Sequence, residues 1–222
     1  MTYVYDFASV FRNFGSLAQG LLMSLEITIA ANLIAIVLGF VIALLLLHRS
    51  VLVRAPATLF VEFFRCTPFI VQVFWFFYCV PMLFDVYMDS RTLGILSLGL
   101  ILSTFNAEAY RGAVQAVPRE QIDAGIALGL SPFQRVVHIV FPTALGLVIP
   151  VLLTNGILAF QTSALLSLVA VEELMYHGKL LASNIYRPIE TFTVIAAIYL
   201  AVSLPVSAFV GRLERRRARN GD

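Results

Sequence analysis

Two carboxylate–guanidinium pairs stand inside stretches that are otherwise apolar: Glu62 with Arg65, and Glu108 with Arg111. Each pair is spaced i,i+3, so on a helix the two charges share a face and neutralise one another. A charge inside a membrane span costs about 2.5–3.5 kcal/mol on insertion scales, so such groups face protein or water. The pairs are read as ion pairs that fix bundle packing, with contact to a passing solute as the second role open to them. Glu26 has no partner close by in sequence. Catalytic chemistry finds little support. The only lysine, Lys179, sits between Gly178 and Leu180, without the glycine spacing or hydroxyl of a phosphate-binding loop. His48, His138 and His177 are dispersed, and neither H-E-x-x-H nor G-x-S-x-G occurs. Cys66 and Cys79 match no metal-ligand spacing and are expected to be small apolar residues of a bundle.

These groups must be positioned by membrane helices. Hydrophobic residues make up 60% of 222 positions and charged residues 13%, about half the charge that wets a soluble domain. Five apolar runs, about 20–47, 57–80, 93–113, 143–166 and 189–210, reach the roughly 20 residues that cross a hydrocarbon core. The expected fold is an all-α, single-domain bundle of about five transmembrane helices, with no alternating barrel strands. The first 19 residues carry Asp6 and Arg12 and no continuous apolar core. They do not read as a signal peptide, so the first span is expected to be an uncleaved anchor. With the amino terminus outside, ten arginines fall at cytoplasmic segments and helix ends: Arg49, Arg54, Arg111, Arg119, Arg135 and the five between 212 and 219. Arg12, Arg91, Lys179 and Arg187 then lie outside, a split that obeys the positive-inside rule. The aromatic run 74–78 is expected near the outer end of the second span, as part of an interfacial belt.

The connection 114–142 is long for a bundle loop, yet its composition is helical. Pro118 suits a first helical position, a helix continues over 119–128, and Gly129 takes the left-handed stop. Ser131-Pro132-Phe133-Gln134 is a capping box that opens a second helix, expected to end before Pro142. In the first helix Ala124, Gly125, Ala127 and Gly129 are small, which lets another surface approach the backbone. A partner's groove and the chain's own bundle are both candidates for that surface.

This loop resembles the cytoplasmic signature of type I ABC importer permeases, written E-A-A-x3-G-x9-I-x-L-P. Here the spacing gives Asp123-Ala124-Gly125, Gly129, Ile139 and Phe141-Pro142. Three further segments are similar to the polar amino-acid branch. Glu62-Phe63-Phe64-Arg65-Cys66-Thr67-Pro68-Phe69-Ile70-Val71-Gln72, followed by Phe74, Tyr78 and Pro81, resembles its E-x-x-R-G-T-P-L-L-V-Q stretch. Ala107-Glu108-Ala109-Tyr110-Arg111-Gly112 resembles its A-E-x-x-R-G, and Gln161 to Leu168 resembles K-D-T-S-L-L-S-L, with Gln161 and Thr162 where Lys and Asp are usual.

The resemblance implies an importer subunit in the bacterial inner membrane that works with a second permease, the same or homologous. It also implies two ATP-hydrolysing ABC subunits, which bind the ATP and Mg, and a periplasmic amino-acid-binding protein. This chain then needs no cofactor and has no ATPase site of its own. Gln121, Asp123, Ala124, Gly125, Ala127, Leu128 and Gly129 would form a coupling helix that docks into the ATPase. A polar amino acid in transit needs partners for its ammonium and carboxylate. Glu62, Asn106, Gln161, Thr162 and Ser163 are the candidates for these. The competing reading is an ATP-independent secondary transporter or channel, which needs an ion site and usually an internal repeat; no convincing repeat is found.

Overall fold

The computed structural model of the chain describes residues 5–86 and 88–220, the side chains of 218–220 excepted. Among the described residues a short helix α1 (Phe7–Arg12) leads into α2 (Phe14–Leu46). Next come α3 (Val51–Cys66), α4 (Phe69–Phe84) and α5 (Ser90–Gln115). The loop helix α6 (Arg119–Ala127), the long α7 (Pro132–Val169), α8 (Leu174–Ile185) and α9 (Pro188–Asn220) complete the chain. Four of these, α2, α5, α7 and α9, are long and apolar enough to cross a membrane. Arg219, counted above with the basic carboxyl-terminal end, has its side chain outside the described residues.

The α2–α5 pair, whose two helices run parallel, is the most extensive helix contact among the described residues. Lipid tails are as apolar as leucine, so membrane helices gain by close backbone packing rather than by hiding apolar surface. Both helices carry small residues every fourth position: Ala31, Ala35 and Gly39 on α2, and Gly99, Ser103 and Ala107 on α5. A Cβ on Gly39 would lie 2.8 Å from both the Ser103 carbonyl oxygen and the Asn106 Cβ. Beside this seam a core forms around Ile27, Ala35, Leu98, Leu102, Ala159 and Leu166.

The second apolar run is not one straight span. It is the pair α3 and α4, bent by 106° at Thr67-Pro68. A residue before proline is driven out of the helical region, and Thr67 is extended at φ −97°, ψ 136°. The carbonyls freed at the break need new partners. Gln72 supplies them: its Nε2 donates to Phe64 O at 2.7 Å and to Thr67 O at 2.8 Å. The aromatic run 74–78 falls largely in a π-helical turn, Trp75–Cys79, that precedes Pro81. The same device, Val136–Val140, precedes Pro142. A proline removes an N–H and crowds the preceding turn, and a widened turn relieves both. For that reason the second loop helix does not end before Pro142 but runs on as α7.

The 167–188 connection also holds more structure than its composition suggests. It contains α8, which packs on α2 and α9 through Leu174, Leu181, Val194 and Ile195. Glu173 caps α8, accepting from Tyr176 N at 2.8 Å, and is fully buried. Its carboxylate also accepts from the hydroxyls of Ser24 on α2 at 3.2 Å and Tyr199 on α9 at 3.1 Å. Burial pushes the Glu173 carboxyl above its ordinary pKa. At the same end of the bundle Glu26 meets Arg91, a partner 65 residues away in sequence.

Candidate functional site

At the opposite end of the bundle α6 forms a projecting shelf. Pro118 stands just before its first turn, extended at ψ 133°, and Arg119 is the first helical residue. Pro118 was expected one position later; its missing N–H is harmless in either place. The helix stops as its sequence dictates. Gly129 adopts φ +73°, Leu130 N donates to Gly125 O at 3.0 Å, and Gly129 N donates to Ile126 O at 2.9 Å. This is a Schellman closure. The capping box follows at once, with Ser131 N donating to Gln134 Oε1 at 2.9 Å and Gln134 N to Ser131 Oγ at 3.3 Å.

The two faces of α6 differ. Gly125 is buried, and a Cβ there would come within 2.6 Å of Ile139 Cδ1 on α7. The smallness of Gly125 therefore serves packing within the chain. Ile122 packs toward Ala113, Val117, Ala144 and Val148, and Thr143 Oγ1 donates to Gln121 Oε1 at 3.4 Å. The other face is bare: Asp123, Ala124 and Ala127 are exposed, Leu128 is 79% exposed and Phe133 at the start of α7 is 77% exposed. An apolar tip beside small residues, on a helix stapled to its bundle by three contacts, suits a rigid plug for a partner's groove.

The second feature is a cleft of about 270 Å³ at the α3–α4 bend, walled by α5 and α7. This lies at the lower edge of small-molecule sites, roughly 300–1,000 Å³. Arg65, Thr67, Gln72 and Thr162 line it among Phe64, Phe69, Leu102 and Phe105. Arg65 is held only loosely by Glu62, at 3.9 Å. The Gln72 Oε1 is buried and has no hydrogen-bond partner among the described residues, while its amide nitrogen is committed to the broken helix. Behind the cleft Asn106 is fully buried. Its Oδ1 accepts from Asn155 Nδ2 of α7 at 2.9 Å, while its own Nδ2 has no partner among the described residues. A helix break beside a guanidinium and a free amide oxygen places polar groups together inside the bundle, and broken helices are where membrane carriers hold small polar solutes.

Residues 35–219, which span both the shelf and the cleft, match the family described as the binding-protein-dependent transport system inner membrane component. The chain belongs to this family. Among its relatives, the arginine ABC transporter permease protein ArtQ of Haemophilus influenzae is 33% identical over 204 residues, covering 89% of this chain and 91% of ArtQ. The glutamine transport system permease protein GlnP of Escherichia coli is 28% identical over 96% of this chain and 97% of GlnP. The backbone superposes on the structure of an amino acid ABC transporter with histidines at a TM-score of 0.91, with 28% identity over 96% of this chain and all of that one. The MetNI methionine ABC transporter shares the fold at a TM-score of 0.76 and 18% identity, over 92% of this chain and 97% of that one.

Within this transport-component fold the residues singled out from sequence separate. Glu108 and Arg111 form a forked pair, Arg111 Nε donating to both carboxylate oxygens at 3.2 and 3.1 Å and Nη2 at 2.5 Å. Glu62 and Arg65 are more open, about half exposed. Of the five solute-contact candidates only Thr162 lines the cleft. Gln161 is exposed, and Ser163 is buried, donating to Phe160 O at 2.7 Å. Asn106 stands one residue beyond the lining Phe105. Arg65, Thr67 and Gln72 were not foreseen as a group. The signal was present in Thr67-Pro68, whose helix break obliges some nearby amide to cap the freed carbonyls.

Proposed function

We propose that this chain is the permease subunit of an ATP-binding-cassette importer that carries a polar amino acid or a related compound across the inner membrane. The observation that carries the reading is α6, a shelf held rigidly by its own bundle, with Asp123, Ala124, Ala127 and Leu128 bare on the outer face. Two ABC subunits bind and hydrolyse ATP with Mg. Their closure draws two such shelves together and rocks the bundles between inward and outward access. A second permease, the same or homologous, completes the pathway, and a periplasmic binding protein delivers the solute. The amino terminus lies outside and the α6 end inside, in keeping with the arginines at that end. Solute passes the cleft at the α3–α4 bend. There Arg65 offers a cation for a carboxylate, and the Gln72 amide, with Thr67 and Thr162, offers hydrogen bonds. The similarity to ArtQ and GlnP supports an amino-acid solute.

The test is a single cysteine at Ala127, with the chain co-expressed beside candidate ABC subunits and cross-linked to their clefts. Efficient, ATP-sensitive cross-linking is expected. Its absence in a folded, dimeric protein refutes the coupling role of α6. Solute uptake that persists when ATP is depleted at constant ion gradients overturns the importer reading as a whole.

A further inference from the structure

The last turns of α9 carry Arg212, Arg215, Arg216 and Arg217 with Glu214 as the one acid among them. Arg216 and Arg217 flank an open cleft of about 600 Å³ between α7 and α9, at the α6 end of the bundle. The Arg217 guanidinium is drawn in against α7, where Nη2 donates to the Thr143 carbonyl at 3.0 Å. Its Nη1 is buried and, among the described residues, has no hydrogen-bond partner. Gly146 makes the room, since a Cβ there would lie 2.6 Å from that nitrogen. Among the described residues no carboxylate lies within ion-pair distance of Arg216 or Arg217. A buried guanidinium N–H left unpaired is costly, and guanidinium matches a phosphate oxygen in geometry and charge. The remaining walls, Pro142, Ile149, Pro150 and Leu213, are apolar. The cleft thus has a cationic mouth and a greasy interior at the end of a membrane-spanning helix.

We infer that this cleft is a binding site for the phosphate headgroup of an anionic phospholipid, with its glycerol and upper acyl chain against Ile149, Pro150 and Leu213. Basic pockets between membrane helices take such headgroups. A free phosphate ion shares the headgroup's chemistry but has no use for the apolar wall. The inference rests on this cleft alone and stands apart from the importer reading.

The experiment measures phosphatidylglycerol retained on the full-length chain in detergent by native mass spectrometry, against phosphatidylcholine, with and without millimolar inorganic phosphate. Each guanidinium near an anionic headgroup is worth about fivefold in binding, so Arg216→Gln with Arg217→Gln should weaken phosphatidylglycerol roughly 25-fold. Arg212→Gln with Arg215→Gln removes the same charge from the same helix outside the cleft and should change it less than about twofold. Equal weakening in both double variants would mean diffuse surface attraction and overturns the site. Full displacement by inorganic phosphate makes free phosphate the ligand and overturns the lipid. Should the first double variant misfold, Arg216→Gln alone and Gly146→Ala, which displaces the Arg217 nitrogen, each predict about a fivefold loss. Unchanged binding in both refutes the inference.

Discussion

Gly39→Ala adds one methyl group at the tightest seam of the bundle, and its cost follows from geometry. The new Cβ would sit 2.8 Å from the Ser103 carbonyl oxygen and 2.8 Å from the Asn106 Cβ, against an ordinary contact of 3.4–4 Å. Neither neighbour is the tip of a flexible chain. One is α5 backbone, and the other is the root of a side chain whose amide is tied to Asn155. The helices must therefore part by roughly half an ångström or more, an overpacking cost of about 1–3 kcal/mol. Alanine returns up to about 1 kcal/mol of helix propensity. Gly15→Ala isolates that gain, because Gly15 lies on the same helix with nothing within 4 Å of its Cβ. At roughly 2–4 °C per kcal/mol for a chain of this size, Gly39→Ala should melt several degrees below Gly15→Ala in the same detergent. Asn106 is pushed toward α7 by the same methyl, so uptake should fall as well. Equal melting temperatures for the two variants, or a higher one for Gly39→Ala, would refute the claim that close backbone approach holds α2 to α5.

Three further outcomes are expected. Glu108→Gln should destabilise by about 1–2 kcal/mol, since it dismantles a forked, charge-assisted pair, whereas Glu62→Gln, whose partner is 3.9 Å away and half exposed, should cost at most about 0.5 kcal/mol; comparable unfolding shifts for the two would contradict the geometry. At Gly129 the φ of +73° is the whole constraint, because a Cβ meets nothing within 4 Å. Gly129→Val should therefore leave insertion intact but cost roughly 1–2 kcal/mol in the turn and cut uptake severalfold, while Gly129→Asn should retain most of it; normal uptake by the valine variant counts against the shelf. Burial raises the Glu173 carboxyl, so the folded state holds its proton to higher pH than the unfolded chain does. The resulting stability is complete below about pH 4, the unfolded value, and is lost as pH rises through the raised one. Glu173→Gln removes this slope, so wild type minus variant stability, followed by thermal melts across about pH 4–8, should shrink as pH rises; a difference that grows with pH reverses the sign and refutes it.

What the sequence by itself determined is what short-range chemistry encodes. Apolar runs measured against bilayer thickness located the four helices long enough to cross. Gly129, Ser131 and Gln134 closed one helix and opened the next within six residues, and Glu108 with Arg111 paired across one turn. Each of these depends on neighbours that the chain brings together whatever else it does. Prolines carried a less certain message, because the same residue type had different consequences. Pro68 breaks its helix by 106°, whereas Pro142 continues within α7 behind a π turn. The choice rests on whether the surroundings can satisfy the freed carbonyls, as Gln72 does at the bend. Only the tertiary structure decided the rest: Glu26 with Arg91, Asn106 with Asn155, and Glu173 with Ser24 and Tyr199. It also set the cleft that leaves Gln161 outside and places Arg65, Thr67 and Gln72 along its wall. Those partners lie tens to more than a hundred residues apart, so no local spacing records them. They meet because small residues let α2 and α5 approach closely and because a buried polar group in lipid must find a partner from another helix.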